Sequence, residues 1–130
     1  MQTASTPPLI VVIEDEAIVL AGYQMLFESW GYRVVAAASA AAARAQLEQS
    51  GERPDFILAD YRLKEGQTGT DAIQAMRDDF GETIPGVLVT GDTAVDRLRT
   101  AAASGLPILH KPVNGRQLHD LLQRSLAPVA

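Results

Sequence analysis

Side chains that could handle a phosphoryl group and a metal ion follow four of the five apolar runs in this sequence. Glu14 and Asp15 follow the first run, Asp60 the third, Thr90 ends the fourth and Lys111 follows the fifth. A carboxylate can attack a phosphoryl group to form an aspartyl phosphate, and carboxylate oxygens are ligands that Mg²⁺ prefers. Lysine and threonine can bind the oxygens of the transferred group. Brought together, these residues predict a site with Asp60 as the phosphoacceptor.

The three carboxylates of this set would repel one another if they converged. One pair about 4 Å apart costs roughly 4 kcal/mol at an effective dielectric near 20. Lys111 supplies one positive charge, and a hard divalent cation, Mg²⁺ or Mn²⁺, would supply the rest. The sequence therefore predicts a metal ion as the cofactor.

Short apolar runs alternate with stretches of helical spacing along the chain. The runs are strand-length and rich in Val, Ile and Leu, and they cover residues 9–13, 33–36, 56–59, 87–90 and 108–110. This alternation predicts an α/β fold, a three-layer doubly wound sandwich with a parallel sheet between helices. Such folds bind ligands at the carboxyl ends of their strands, which would bring the chemical residues to one edge.

Each helical stretch has an apolar side that is expected to face the sheet. In the first stretch, Ile18, Gly22, Met25 and Leu26 form one stripe before Gly31 ends the helix. The other inward-facing residues are expected to be Ala43 and Leu47 in the second helix, which Ser39 caps; Ile73, Met76 and Phe80 in the third; Val95, Leu98 and Ala102 in the fourth; and Leu118, Leu121, Leu122 and Leu126 in the fifth.

Length and composition limit the classes of function. With 130 residues, 47% of them hydrophobic, the chain fits one domain, predicted over 9–127 between short tails at 1–8 and 128–130. A net charge of -5 argues against nucleic acid as a direct partner, and the absence of cysteine excludes thiol chemistry. No apolar run could span a bilayer and the N-terminus lacks a basic signal region, so we expect a cytoplasmic protein without direct membrane contact.

Four separated motifs carry a resemblance to a known family. VVIEDE, ILADYRL, TGDT and LHKPV resemble the receiver domains of response regulators and hybrid histidine kinases. The resemblance implies a flavodoxin-like fold, with five parallel strands in the order 2-1-3-4-5 and five helices. It also implies a two-component phosphorelay function, in which a partner's phosphohistidine donates to Asp60 and the domain changes conformation to signal.

For the metal ion, the resemblance implies a defined set of ligands. Glu14 and Asp15 would bind it together with Asp60 and with the backbone carbonyl of Arg62. We further hypothesise that the Arg62 side chain pairs with Asp92 across the mouth of the site and hinders the water that hydrolyses the aspartyl phosphate. Replacing both residues with alanine would then shorten the measured lifetime of the phosphorylated chain.

For the response to phosphorylation, the resemblance implies that Thr90 is the hydroxyl switch and that Lys111 binds the phosphoryl group. The peptide bond before Pro112 would be cis and would orient Lys111. The sequence departs from the family at Ile108, where many members have a Tyr or Phe that moves inward, and at Lys64, where a proline is common. The sequence therefore lacks the aromatic residue of the usual switch at this position.

Three longer segments, SWGYRVVAAAS, ADYRL and SGLPILHKPV, are similar to receiver domains at the C-terminal end of hybrid sensor histidine kinases. That likeness implies a histidine kinase or a histidine phosphotransfer domain as the partner, and a parent protein tethered to a membrane-bound sensor. A homodimer through the face between the fourth and fifth predicted helices is a further expectation.

Each residue also has a purely structural interpretation when it is taken alone. Glu14 and Asp15 could cap the first helix, where a carboxylate gains about 0.3–1 kcal/mol, and Asp60 could be a turn residue at a strand end. Thr90 could belong to the start of a helix, and a lone lysine such as Lys111 is usually solvated. Their joint placement favours the chemical interpretation.

Two other functions could use the same residues. A phosphatase or phosphotransferase with an aspartyl nucleophile would need a second acid–base carboxylate after Asp60, but Tyr61, Arg62 and Leu63 follow it, and the sequence offers no inserted lid. A phosphorylation-independent interaction module would keep its partner affinity when Asp60 is replaced by alanine. We expect that the chain is not an enzyme on external substrates and catalyses only its own modification.

Overall fold

The structure is a computed structural model that describes residues 7–63, 67–91 and 105–126. Its strands are β1 (Leu9–Ile13), β2 (Arg33–Ala37), β3 (Phe56–Asp60), β4 (Gly86–Thr90) and β5 (Ile108–His110). All neighbouring strands pair in parallel, in the order β2-β1-β3-β4-β5. The predicted architecture and the predicted strand order are confirmed.

Four helices lie within the described residues: α1 (Ala17–Ser29), α2 (Ala40–Ser50), α3 (Gly69–Phe80) and α4 (Gly115–Leu126). The last of them, α4, is the fifth predicted helix. The fourth predicted helix, with Val95, Leu98 and Ala102, lies outside the described residues and stays a prediction. Within the described part of the chain, no helix combines the length and the hydropathy of a membrane span.

Hydrophobic clusters cover the sheet on both faces, because successive side chains of a strand point to opposite sides. One cluster contains Val11, Ile57 and Leu88 from the sheet. The other contains Ile10, Leu58 and Val87. The inward-facing helix predictions are confirmed as buried for Ala43, Leu47, Ile73, Met76, Leu118 and Leu122, and Phe80, Leu121 and Leu126 are half-buried against the clusters.

The predicted inward stripe of α1 is wrong for Ile18, Gly22 and Met25, and it is confirmed only for Leu26, which packs against the second cluster. Ile18 is 89% exposed and Met25 is 71% exposed, Gly22 is exposed, and Leu26 is only half-buried. Phe27 is the fully buried residue of this helix. Apolar side chains surround α1 almost completely, so two different stripes fit the helical spacing. The stripe with the larger aromatic side chains faces the sheet because it buries more apolar area. The cluster that contains Phe27 also packs against the partly buried Leu20, Tyr23, Leu26 and Trp30.

Side-chain caps fix the start of α2 and α3. The Ser39 hydroxyl accepts a hydrogen bond from the Ala42 amide at 3.1 Å, as predicted. Thr68 and Asp71 form a reciprocal capping box, in which each side chain accepts from the other residue's amide. A cap of this kind contributes about 1 kcal/mol. The box sets the first turn of α3 against the end of β3, where Asp60 lies.

Candidate functional site

The residues singled out from the sequence meet at the carboxyl edge of the sheet. Glu14 and Asp15 follow β1, Asp60 and Thr90 end β3 and β4, and Lys111 follows β5. The Lys111 amide donates to the Thr90 carbonyl at 2.8 Å, which continues the β4–β5 pairing to the site itself. Glu14, Asp60 and Thr90 are buried, with exposed fractions of 1%, 8% and 3%. Parallel pairing in this strand order therefore converts distant motifs into one cluster.

The three carboxylates converge closely. Oxygen atoms of Glu14, Asp15 and Asp60 all lie within 4.8 Å of one another. Burial, followed by the charge of Asp60, raises the pKa of Glu14 from 4.5 to about 7, against the opposing effect of Lys111. Neither carboxylate oxygen of Glu14 has a hydrogen-bond partner among the described residues. A buried charge without hydrogen-bond partners is costly, and a bound cation would offset that cost.

Asp60 forms an ion pair with Lys111. The Lys111 Nζ lies 2.8 Å from the Asp60 Oδ1. Burial is the largest effect on the pKa of Asp60 and raises it, and the charge of Asp15 raises it further. The hydrogen bond and charge of Lys111 and a hydrogen bond from the Arg62 amide lower this pKa, but the net shift is upward. Burial lowers the pKa of Lys111, but the hydrogen bond and charge of Asp60 outweigh it, so the net shift is upward. Lys111 therefore stays an ammonium ion beside Asp60.

The donor set fits a hard divalent cation. Three carboxylates face one lysine, so the site has excess negative charge, and its free ligands are the oxygen atoms that Mg²⁺ and Mn²⁺ prefer. The unpartnered oxygens of Glu14 are the structural feature that a cation would satisfy. Arg62, the predicted carbonyl ligand, lies two residues after Asp60 and bridges to Thr68. Its role as a ligand stays a prediction.

Two backbone features lie beside Asp60 and Lys111. The Gly69 amide donates to the Tyr61 carbonyl at 2.8 Å, and a Cβ atom on Gly69 would lie 2.4 Å from the Asp60 carbonyl oxygen. Only glycine therefore lets α3 begin this close to the acceptor. The Lys111–Pro112 peptide bond is cis, the isomer that the resemblance implies.

Of the remaining residues singled out from the sequence, the structure describes only Ile108. Ile108 is half-buried, pairs with Leu88 and packs against the first cluster, so an aliphatic side chain occupies the predicted switch position. Asp92, the hypothesised partner of Arg62, lies outside the described residues, and that pair stays a prediction. Lys64 lies outside them as well.

Tyr23 was missed at the sequence level. Its ring is half-buried in α1 and stacks on Phe27, with the ring centroids 6.1 Å apart. Burial raises the pKa of Tyr23 to about 12, and the charges of Lys111, Glu14 and Asp60 also act on its hydroxyl. A tyrosine in the middle of an apolar helix carries no local signal of a nearby site, so only the fold reveals this proximity.

Comparison with known proteins gives the family. The sequence model of one protein family, the response regulator receiver domain, matches residues 10–123 of the chain. The chain belongs to this family. The receiver domain therefore serves two-component signal transduction. The matched residues include the motifs at the ends of its strands.

Curated relatives of this receiver domain are longer regulators. The phyllosphere-induced regulator PhyR of Methylorubrum extorquens is 30% identical over 81 residues, which are 62% of this chain and 30% of PhyR. The transcriptional regulatory protein ZraR of Escherichia coli is 33% identical over 125 residues, which are 91% of this chain and 26% of ZraR. The chain thus spans about a quarter to a third of the length of these relatives.

Solved receiver domains have the same fold. A CheY-like receiver domain protein from Methanospirillum hungatei superposes with a TM-score of 0.78 at 24% identity, covering 92% of this chain and 94% of its own. A response regulator receiver protein from Pseudomonas putida gives a TM-score of 0.78 at 25% identity, covering 93% and 99%. The five-stranded doubly wound fold is therefore shared along nearly the whole length of these proteins.

Proposed function

We propose that this receiver domain accepts a phosphoryl group on Asp60 from the phosphohistidine of a histidine kinase or a histidine phosphotransfer domain. The observation that carries the proposal is the ion pair of Asp60 and Lys111 at 2.8 Å beside two further carboxylates. A nucleophilic carboxylate, a fixed ammonium ion and a site for a hard cation are the groups that phosphoryl transfer requires. Catalysis here is mainly positioning and charge neutralisation.

The bond changes follow from these positions. A carboxylate oxygen of Asp60 attacks the phosphorus atom, and the P–N bond of the donor breaks with its electron pair going to the leaving imidazole. Lys111 then hydrogen-bonds a phosphoryl oxygen in place of the free carboxylate. Glu14, Asp15 and Asp60 would hold Mg²⁺ or Mn²⁺, which when bound supplies further positive charge to the phosphoryl oxygens.

Thr90 is proposed to detect the new group. Its side chain is buried at the end of β4, on the strand that pairs with β5. A hydroxyl at this place can donate to a phosphoryl oxygen on Asp60, and that bond would draw the end of β4 towards β3. Ile108 on β5 would move together with β4 because its aliphatic side chain packs against the first cluster. No aromatic side chain would have to rotate.

The wider context is also proposed. The SGLPILHKPV segment supports an origin in a hybrid histidine kinase, while the curated relatives PhyR and ZraR are named as regulators. We propose a cytoplasmic domain that acts on no external substrate and that modifies only itself. The proposed homodimer would use a face that includes the fourth predicted helix, which lies outside the described residues.

Removal of the metal ion tests the proposed chemistry. With phosphoramidate as the donor, we expect Mg²⁺ to accelerate phosphorylation about 100-fold or more over the chelated protein, the factor that several kcal/mol of lost charge stabilisation represents. The measurement is the initial rate of phosphoprotein formation, followed by intact mass with Mg²⁺ and with excess chelator. Equal rates under both conditions would contradict a metal-assisted reaction.

A further inference from the structure

The ion pair of Asp60 and Lys111 lies on the side of the sheet that α1 covers. Leu58 of β3 belongs to the second hydrophobic cluster, and Leu109 of β5 packs against it. Side chains two positions apart along a strand share a face, so Asp60 and Lys111 project on that same side. Tyr23 of α1 packs against the same cluster. The helix α1 is therefore a neighbour of both charged groups.

The direction of α1 points Tyr23 towards this pair. The helix begins at Ala17, shortly after the carboxyl end of β1, and the side chains of a helix tilt towards its N-terminus. Tyr23 lies six residues after Ala17, about 9 Å along the axis, so its long side chain extends back towards the carboxyl edge. Its ring stacks on the fully buried Phe27, which fixes the ring in place. The hydroxyl is thus the end of Tyr23 that approaches the site.

The electrostatic environment of the hydroxyl agrees with this position. Burial raises the pKa of Tyr23 to about 12, and the charges of Lys111, Glu14 and Asp60 also act on it. The influence is mutual, because Tyr23 is among the groups that act on the pKa of Lys111. A hydroxyl with such a pKa stays protonated at physiological pH. Tyr23 therefore presents a neutral hydroxyl within electrostatic reach of the ammonium ion.

Lys111 benefits from a second contact because its stem is long and flexible. One of its three N–H donors serves Asp60 Oδ1, and the side chain is 32% exposed. On the β4 side the stem adjoins Gly91, where a Cβ atom would lie 3.7 Å from the Lys111 Cδ, so this neighbour supplies no side chain. A further carboxylate as acceptor would compete for the metal ion, whereas a neutral hydroxyl would not. A tyrosine on α1 meets this requirement.

We propose that Tyr23 is a positioning residue for Lys111: its hydroxyl accepts a hydrogen bond from the Lys111 ammonium ion, directly or through one water molecule, while Lys111 binds the phosphoryl group on Asp60. The inference rests on the proposed phosphoacceptor function and adds a residue to it. Tyr23 touches neither the phosphorus atom nor the attacking carboxylate, so its effect on the rate passes through Lys111.

The test removes the hydroxyl and keeps the ring. For Tyr23→Phe, we expect phosphoramidate to label the chain about tenfold more slowly in the presence of Mg²⁺, the factor that one hydrogen bond to a charged group represents. Tyr32→Phe is the matched control, because Tyr32 packs against the same cluster but precedes β2, at the opposite edge of the sheet. Its rate should stay within twofold of wild type. Circular dichroism checks that both variants fold.

A double-mutant cycle shows whether Tyr23 acts through Lys111. In a Lys111→Met background, Tyr23→Phe should change the rate less than twofold, since no ammonium ion remains to be positioned. A residue that merely supports the fold would slow both backgrounds equally. The chain has two lysines, Lys64 and Lys111, so labelling with ¹³C-lysine gives a second readout by NMR. Tyr23→Phe should shift the Cε signal of Lys111 and leave that of Lys64 unchanged.

Each outcome decides a separate point. A Tyr23→Phe rate within twofold of wild type overturns the proposal, and so does an equal loss in Tyr32→Phe or in the Lys111→Met background. If Lys111→Met takes up no label, the Cε signal of Lys111 decides, and an unchanged signal in Tyr23→Phe overturns the proposal. If phosphoramidate does not label the wild-type chain, the phosphoacceptor function itself is wrong.

Discussion

Replacing Gly69 with alanine is expected to lower the free energy of unfolding of the receiver domain by about 2–3 kcal/mol and to slow phosphorylation of Asp60. The new Cβ atom would lie 2.4 Å from the Asp60 carbonyl oxygen and 2.9 Å from its carbonyl carbon and from the Leu88 Cδ2. Backbone atoms cannot yield as the end of a side chain can, so β3 and α3 must separate. That displacement moves Asp60 away from Lys111.

Gly22→Ala is the matched control for this substitution. Gly22 is also a helical glycine, but its Cβ position is open, so alanine should raise the stability by about 1 kcal/mol through helix propensity. Urea unfolding of both variants gives the two changes, and phosphoramidate labelling gives the rates. Similar stability changes of the same sign in both variants would contradict a close approach at Gly69.

Glu14→Gln is expected to stabilise the metal-free domain at pH 8 by about 2–3 kcal/mol and to weaken Mg²⁺ binding. The Glu14 carboxylate is 1% exposed and its oxygens have no hydrogen-bond partner among the described residues. A neutral amide avoids both the burial of a charge and the repulsion by Asp60. The same charge is what would attract the metal ion.

The pH dependence of this effect has a defined sign. The pKa of Glu14 is about 7 in the folded chain, and its ordinary value, which applies to the unfolded chain, is 4.5. Between these pH values Glu14 is therefore protonated in the folded state and ionised in the unfolded state. The stability of the wild type should therefore fall as the pH rises from about 4.5 to about 7 and then level off, and this component should be missing from Glu14→Gln.

Urea unfolding with chelator at pH 5 and pH 8 measures the effect, and calorimetry measures Mg²⁺ binding. The control is Glu16→Gln, two residues away at an exposed position, which should change the stability by no more than about 0.5 kcal/mol. A Glu14→Gln variant that is less stable than wild type at pH 8 would show that the Glu14 carboxylate is not an unpaired buried charge. A variant that binds Mg²⁺ as well as wild type would show that Glu14 is not a metal ligand.

Strands and the site edge were predictable because their signals are local. Runs of Val, Ile and Leu fix β1 to β5, and alternation with helices forces parallel pairing. Once the pairing is parallel, residues at the ends of strands share one edge, so Asp60 and Lys111 had to approach each other. The spacing of Leu118 and Leu122 admits only one apolar side, and Leu47 is the only large apolar side chain of the alanine-rich α2, so these helix faces were also correct.

Other features depend on contacts between distant segments. The helix α1 is apolar on nearly all sides, and spacing cannot tell the stripe of Ile18 and Met25 from the one around Phe27. The close approach of Gly69 to the Asp60 backbone and the proximity of Tyr23 to the site arise only when the layers pack. The unpartnered state of Glu14 is likewise a property of the surrounding structure.

The most direct measurement is the intact mass of the chain after incubation with phosphoramidate and Mg²⁺, for the wild type, Asp60→Asn and Asp55→Asn. Asp55 is an exposed aspartate just before β3, at the opposite end of that strand from the site. We predict one phosphoryl group, released by hydroxylamine as expected for an acyl phosphate, on the wild type and on Asp55→Asn, and none on Asp60→Asn. A phosphoryl group that persists in Asp60→Asn, or none on the wild type, would contradict Asp60 as the phosphoacceptor.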